Sequence, residues 1–382
     1  MMIILPTIRR YVFTCILMII AIVSFFSVSG HAGRVIRIGA LMGFTGPYKT
    51  SHIHTFRAVE MAVNQLNAAG GILKEKLVLI RLDNRSSPLG SIRAAQSAVK
   101  KGIIAVIGPI RSSNAIAAAP VFQNARIIMI TPTSTSPDVT KTGSYIFRTC
   151  YTDKTQGLVM ADFACDDLKL KKAVVLTNTD NKYSIGLAGY LMSRFRAKGG
   201  HVLWEGDYLD KISDFGQLIQ KVKSLGPDVV FIPGYSRDAG LIIKKSRQMG
   251  VKSVFIGGDG WDELIYHYAG TAINGCFHTA FWHPDLPGRK NQDFVEQYRK
   301  KYGEIKRFDS ASAYDAVMVF AAAAEKAGCL EPEKIKQAMM SINFKGVGGT
   351  IRFDRNGDPV KPVVLIEYRN NRSCYLKTIL RR

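Results

Sequence analysis

The run Ile103-Ile104-Ala105-Val106-Ile107, followed by Gly108-Pro109-Ile110-Arg111-Ser112-Ser113-Asn114 and then Ala115-Ile116-Ala117-Ala118-Ala119, decides how this chain is read. Five apolar residues ending at a Gly-Pro turn read as a buried strand of a parallel sheet. Small polar residues then open an alanine-rich helix. Such a unit brings free backbone N–H groups, hydroxyls and the positive end of a helix dipole to the carboxyl edge of the sheet. Ligands of open α/β sheets sit at that edge. A carboxylate or a phosphate suits it.

On either side of this run, strands and helices alternate. Val35 to Met42 reads as a strand, and the helix from about Thr55 to Asn67 carries Val59, Ala62, Val63 and Leu66 on one face before stopping at Gly70-Gly71. Leu77 to Leu82 and Ile127 to Ile130 add further strands. After Arg148 the alternation starts afresh, with strands at Ala173 to Thr177, His201 to Trp204, Asp228 to Ile232 and Val254 to Ile256. Alternation of this length means right-handed βαβ units around parallel sheets. From Gly275 a strand runs to Phe281, and helices follow at Asp293 to Tyr302 and Ser310 to Ala327. Thr350 to Phe353, the turn Asp354 to Asp358, and Val363 to Tyr368 read as a hairpin. No internal repeat or low-complexity linker interrupts the pattern.

A chain of 382 residues with 47% hydrophobic content has the material for two ordinary domains and real cores. Arg9 and Arg10 precede the apolar run Tyr11 to Phe26, and Gly30-His31-Ala32 offers small residues for cleavage. Residues 1–32 therefore read as a secretory signal cleaved near Ala32, with a retained membrane anchor as the alternative. Their removal takes away two of the 52 basic residues and none of the 30 acidic ones, leaving a charge of +20. The basic residues are spread along the chain without a nucleic-acid motif, which argues against a nucleic-acid partner. An anionic membrane surface or an unusual medium accounts for the charge equally well. Cys150, Cys165, Cys276, Cys329 and Cys374 remain, with no C-x-x-C, so zinc and dithiol chemistry are disfavoured. Cys329 and Cys374 stand as a candidate disulfide pair.

Four segments follow predicted strands where a ligand would meet them. They are Ser112-Ser113; the hydroxyl-dense loop Thr131-Pro132-Thr133-Ser134-Thr135-Ser136-Pro137; Tyr183 with Tyr235; and Gly257-Gly258-Asp259-Gly260-Trp261. Together they supply donors for a carboxylate, an acid for an ammonium, and aromatic surface between. That set describes a receptor for an α-amino acid.

Over about Ile36 to Tyr368 the sequence also resembles the periplasmic substrate-binding proteins of branched-chain amino-acid ABC transporters, the Leu/Ile/Val-binding type. The resemblance rests on Ile38-Gly39-Ala40-Leu41 with Thr45-Gly46-Pro47, Asn67 to Ile72, Val106-Ile107-Gly108-Pro109 with Ser112-Ser113, and Ile130-Thr131-Pro132. It continues through Phe147-Arg148-Thr149, Gln156-Gly157 and Phe353 to Asp358. It implies that Ser112 binds the ligand carboxylate, that Thr133 and Ser134 offer mainly backbone contacts, and that Thr135 touches both carboxylate and ammonium. Tyr183 and Tyr235 would close over the ligand, and Asp259 would neutralise the ammonium. The chain departs from the family in four places. Ser51 stands where several relatives carry an aromatic residue, Trp261 is bulky beside the acid, and Ser86 and Arg111 replace a pair that some relatives join as a disulfide. These departures leave the side-chain specificity open.

Plainer roles compete. Ser112 and Thr135 could serve only as caps, Tyr183 and Tyr235 as packing residues, and Asp259 as a turn acid; strand-end placement and the resemblance favour ligand roles. His52 and His54 lack further metal ligands and read as part of a solvated loop.

The expected architecture is two Rossmann-like parallel-sheet domains joined by a three-segment hinge, the type 1 periplasmic binding fold. Domain I would combine residues 34–150 with 275–360, and domain II 151–274 with 361–382. The expected function is an exported, monomeric receptor that binds an amino acid in the interdomain cleft and delivers it to an ABC permease, with no cofactor and no metal. A ligand-sensing receptor for an amide or small carboxylate, coupled to a signalling partner, is the alternative. An enzyme is disfavoured because G-x-S-x-G, H-E-x-x-H, a well-placed G-x-G-x-x-G and G-x-x-x-x-G-K-[ST] are all missing.

Overall fold

The computed structural model describes residues 35–380; the expected signal segment and its cleavage point near Ala32 lie outside them. The strands are β1 Ile36–Met42, β2 Leu77–Asp83, β3 Ala105–Ile107, β4 Ile128–Thr131, β5 Ile146–Arg148, β6 Lys172–Asn178, β7 His201–Tyr208, β8 Val229–Ile232, β9 Val254–Gly257, β10 Phe277–Ala280, β11 Phe344–Gly346, β12 Gly349–Ile351, β13 Val363–Arg369 and β14 Arg372–Ile379. A first sheet of order β2-β1-β3-β4-β5 is parallel throughout. The second has the order β14-β13-β10-β9-β8-β6-β7. Both put β-strands with inward-facing Ile, Val and Phe under flanking helices, as the sequence alternation requires.

The chain moves from the first sheet to the second after β5, back after β10, and again to the second at β13. Between the last two crossings the helix Ser310–Ala327 packs on Lys49–Ala68 and against β3 and β4. Three segments thus join the lobes.

Four expectations need correction. Strand β10 pairs in parallel with β9 and antiparallel with β13, so the segment returning to the first lobe starts after Ala280 and not at 275. The second sheet is not wholly parallel, because β13 and β14 close its edge as an antiparallel pair. The expected hairpin of Thr350 to Phe353 with Val363 to Tyr368 does not form. Instead β11 pairs with β12, β13 pairs with β14, and only Phe353 and Pro359 bridge across the Asp354–Asp358 turn. Cys329 and Cys374 are both free thiols.

The first helix also starts earlier than expected, at Lys49, and this changes the reading of His52. His52 is buried in that helix, where its Nδ1 accepts the Gly43 N–H at 2.9 Å. Burial holds its pKa well below the ordinary imidazole value, so the ring stays neutral and serves as a backbone acceptor. No group of His, Cys, Asp and Glu among the described residues is arranged to hold a metal.

Candidate functional site

The first-lobe half of the site grows out of β3. Gly108 follows the strand with φ +112°, and its N–H donates to the Ile130 carbonyl at 2.9 Å. A Cβ at this position would strike the Leu41 carbonyl oxygen, so only glycine lets the two strand ends approach so closely. The Gly108–Pro109 bond is cis. Arg111 is extended and precedes the helix Ser112–Ala125, whose first turn no side chain caps. That leaves the helix N-terminus beside Ser112 without a side-chain cap, a seat of the kind that suits an anion.

The hydroxyl-rich loop after β4 is fastened under this seat. Thr133 Oγ1 donates to the Ile110 carbonyl at 2.6 Å and Ser134 Oγ to the Pro109 carbonyl at 3.0 Å. These two hydroxyls therefore tie the loops together, consistent with a role through their backbone. Ser112 Oγ accepts the Ser136 N–H at 3.3 Å. Thr135 is fully buried beside Asp153; the Asp153 N–H donates to its carbonyl at 2.9 Å, while its hydroxyl completes no hydrogen bond of normal geometry.

The opposite wall comes from the second lobe. Tyr183 is buried and its hydroxyl accepts the Gly260 N–H at 3.0 Å. Its ring lies 5.2 Å from that of Tyr235, tilted by 37°. Asp259 keeps part of its surface open toward the cleft. Trp261 turns away from the cleft into the core, where it packs over Gly257 and stacks on His278, so it does not narrow the site.

Sequence reasoning missed the group that organises this wall. Asp153 opens the helix Asp153–Asp162 immediately after the first crossing, and Gln156 lies one turn on. The Gln156 Nε2 donates to Asp153 Oδ1 at 3.0 Å and to Asp259 Oδ1 at 2.7 Å. Its Oε1 accepts from Thr279 Oγ1 at 3.0 Å and from the Asp259 N–H at 3.2 Å. One amide thus holds two carboxyls together, while Asp153 Oδ2 has the Thr135 hydroxyl beside it but completes no hydrogen bond of full geometry. Burial, and then the neighbouring Asp153 charge, pushes Asp259 up to about 8; burial pushes Asp153 up to about 7. Thr152, whose hydroxyl accepts the Thr155 N–H, was the available sign of a helix start that placed an acid at its head.

The paired acids predict a pH-dependent closure. Burial raises both carboxyls above the ordinary value, so the closed, unliganded form holds protons that the unfolded form, or a form opened to water, releases. That closed form bears no penalty below about pH 4, and loses stability as pH rises from there through 7 and 8. Small-angle scattering of unliganded protein is expected to show a more compact particle at pH 5.5 than at pH 8.5. Equal radii of gyration at the two pH values would count against this account.

Across the cleft mouth, Arg307 links the lobes. Its Nη1 donates to Asp262 Oδ2 at 2.6 Å and to Ser51 Oγ at 2.9 Å, and the guanidinium also pairs with Asp309. Ser51 therefore serves as a polar partner of Arg307. Lys182 N–H reaches Ser113 Oγ at 3.3 Å, and Arg111 bonds Asn181. The lobes are shut.

Two lobes joined by three crossings, with an uncapped helix start at Ser112 facing the acid pair of the other lobe, have the architecture of a two-lobed solute receptor. Residues 35–373 match the model of the periplasmic binding protein family, and the chain belongs to that family. It is 31% identical over 347 residues to Leu/Ile/Val-binding protein homolog 1 of Brucella abortus (strain 2308), which covers 90% of this chain and 92% of that protein. An amino acid binding protein of Pseudomonas aeruginosa is 33% identical over 346 residues, covering 89% and 91%. Among solved structures, the leucine binding protein LivK of Thermotoga maritima MSB8 superposes with a TM-score of 0.86 at 31% identity, covering 90% of this chain and 99% of that one. The fold is thus of the type 1 periplasmic binding class, and the chain is an extracytoplasmic substrate-binding receptor of the ABC-transporter kind, not an enzyme. No described helix is long and apolar enough to cross a membrane.

Proposed function

We propose that the protein captures an α-amino acid, of the branched-chain type or a close relative of it, in the cleft and presents it to the permease of an ABC transporter. The carrying observation is the pair Asp153 and Asp259, held together by Gln156, with one Asp153 oxygen completing no hydrogen bond of full geometry. A buried acid pair demands a cation, and an α-ammonium with three N–H donors supplies it. The uncapped helix start at Ser112, with Thr133, Ser134 and Thr135 beneath it, takes the α-carboxylate. Tyr183 and Tyr235 cover the ligand from the second lobe.

In this reading one lobe comprises 36–150 with 281–360 and the other 151–280 with 361–380. They hinge shut on the ligand, and the protein acts as an exported monomer after cleavage near Ala32. Family relatives bear on the ligand class: the Brucella protein is named for leucine, isoleucine and valine, and the Thermotoga protein for leucine.

Calorimetric titration of the purified receptor with the common amino acids, and with the matching α-keto acids and amines, tests the reading. The expected result is saturable binding of one or a few amino acids, and none of analogues lacking either the ammonium or the carboxylate. Binding of a plain carboxylate as tight as that of its amino acid would sink the ammonium role.

A further inference from the structure

Arg111 occupies an unusual place. It immediately precedes Ser112, the first residue of the anion seat, and it is 6% exposed. Its guanidinium carbon lies 3.9 Å from the ring centre of Tyr48 and 3.8 Å from that of Tyr235, so the cation is sandwiched between aromatic faces from the two lobes. One terminal nitrogen bonds Asn181 Oδ1. The other, Nη1, is buried and completes no hydrogen bond of full geometry.

No carboxylate among the described residues lies within ion-pair distance of this cation. The acids on the second-lobe side are engaged elsewhere. Asp210 Oδ1 accepts from Asn178 and Asn181, and Asp238 pairs with Arg237. A buried guanidinium stacked on two rings but missing an acceptor costs free energy until something supplies one. The Tyr48 hydroxyl approaches the guanidinium, but no protein acceptor completes a hydrogen bond of full geometry with Nη1. What remains is the molecule that enters the cleft.

We propose that Arg111 sets the ligand's side-chain chemistry: the amino acid taken up carries a hydrogen-bond acceptor, an amide or carboxylate oxygen, at the end of its side chain. This rests on the α-amino-acid reading above and narrows it away from purely aliphatic ligands. The row Asp259, Tyr183, Tyr235, Arg111 gives the geometry. The Tyr183 hydroxyl helps hold the Asp259 charge, its ring meets that of Tyr235, and Tyr235 meets the guanidinium. A ligand with its ammonium on the acids and its carboxylate beside Ser112 therefore has Arg111 within the same enclosed layer. An aliphatic side chain there would leave Nη1 unpaired; an acceptor would satisfy it.

The test is a comparison of three ligands of similar length, L-glutamine, L-glutamate and L-leucine, on wild type, Arg111→Leu and Arg111→Lys. Wild type is expected to favour an acceptor-bearing ligand over leucine by roughly tenfold or more. Arg111→Leu should reverse that order, and Arg111→Lys should keep its direction with a smaller ratio. Glutamine above glutamate assigns an amide, and the opposite order a second carboxylate. Tighter wild-type binding of leucine overturns the proposal. So does an Arg111→Leu variant that weakens all three ligands alike, because Arg111 is then only a latch between the lobes. Should the leucine variant not fold, the wild-type order and the lysine ratio still decide. If no amino acid binds while an amine-free ligand does, the parent reading falls, and this one with it.

Discussion

Asp259→Asn should weaken amino-acid binding by about a hundredfold or more while leaving the unliganded protein at least as stable as wild type. The two effects have opposite signs for one physical reason. In the closed, unliganded protein the Asp259 carboxyl is a burden: it is largely withdrawn from water, it faces Asp153, and its pKa is pushed up to about 8. An acid raised in the folded state costs stability that is absent below its ordinary pKa and fully present above pH 8. Asparagine removes that cost and keeps an oxygen for the Gln156 Nε2, which donates to Oδ1 at 2.7 Å.

With the ligand's ammonium in place, the burden becomes the main attraction. Removing one member of a desolvated, hydrogen-bonded charge pair costs about 2–5 kcal/mol, which spans roughly thirtyfold to several thousandfold in affinity. Asp153→Asn is expected to act in the same direction, because Asp153 Oδ2 completes no hydrogen bond of full geometry within the protein. Calorimetry for binding and thermal unfolding at pH 8.5 for stability read the two effects separately. A variant that binds normally, or one that loses binding and stability together, would mark Asp259 as a structural acid.

How much of this was legible follows from the range of each interaction. The strand–turn–helix unit around Gly108-Pro109 is local, so the sequence shows both the turn and the helix start at Ser112. Asp259 is legible for the same reason: it sits at a strand end between glycines. Asp153 and Gln156 escape notice because their importance exists only when helix Asp153–Asp162 meets the β9 end and β10 across more than a hundred residues of chain. Strand β10 is readable as a strand, but its sheet is decided by pairing with β9 and β13. Likewise Val363–Arg369 alternates as a hairpin strand should, yet the partner that fits is the following β14 rather than the preceding segment. Arg111 is the extreme case. Nothing in Ile110-Arg111-Ser112 announces that the side chain will lie between Tyr48 and Tyr235, since that layer exists only when the lobes close.

Arg148→Leu should be among the most damaging single changes in the first lobe, costing about 3–5 kcal/mol of stability and most of the ligand affinity. Arg148 is completely buried at the end of β5. Its Nε pairs with Asp358 Oδ1 at 2.6 Å, Nη1 donates to the Ser134 carbonyl at 2.6 Å, and Nη2 donates to the Ser136 carbonyl at 2.9 Å and to Thr140 Oγ1 at 2.8 Å. One planar fork thus pins the loop that carries Thr133, Ser134 and Thr135, and fastens it to the Asp354–Asp358 turn of the returning segment. By engaging the loop's carbonyls from behind, the guanidinium leaves the opposite side of that backbone for the cleft. Leucine would take a donor from four acceptors, one of them a carboxylate oxygen left with only the Thr140 hydroxyl. Lysine restores the charge but not the fork, because a single ammonium cannot reach carbonyls and carboxylate in these directions together. Arg148→Lys is therefore expected to recover part of the stability and little of the binding. Urea unfolding gives the first quantity and ligand titration the second. A lysine variant that binds as wild type would show that charge alone positions the loop, and the role of the fork would have to be abandoned.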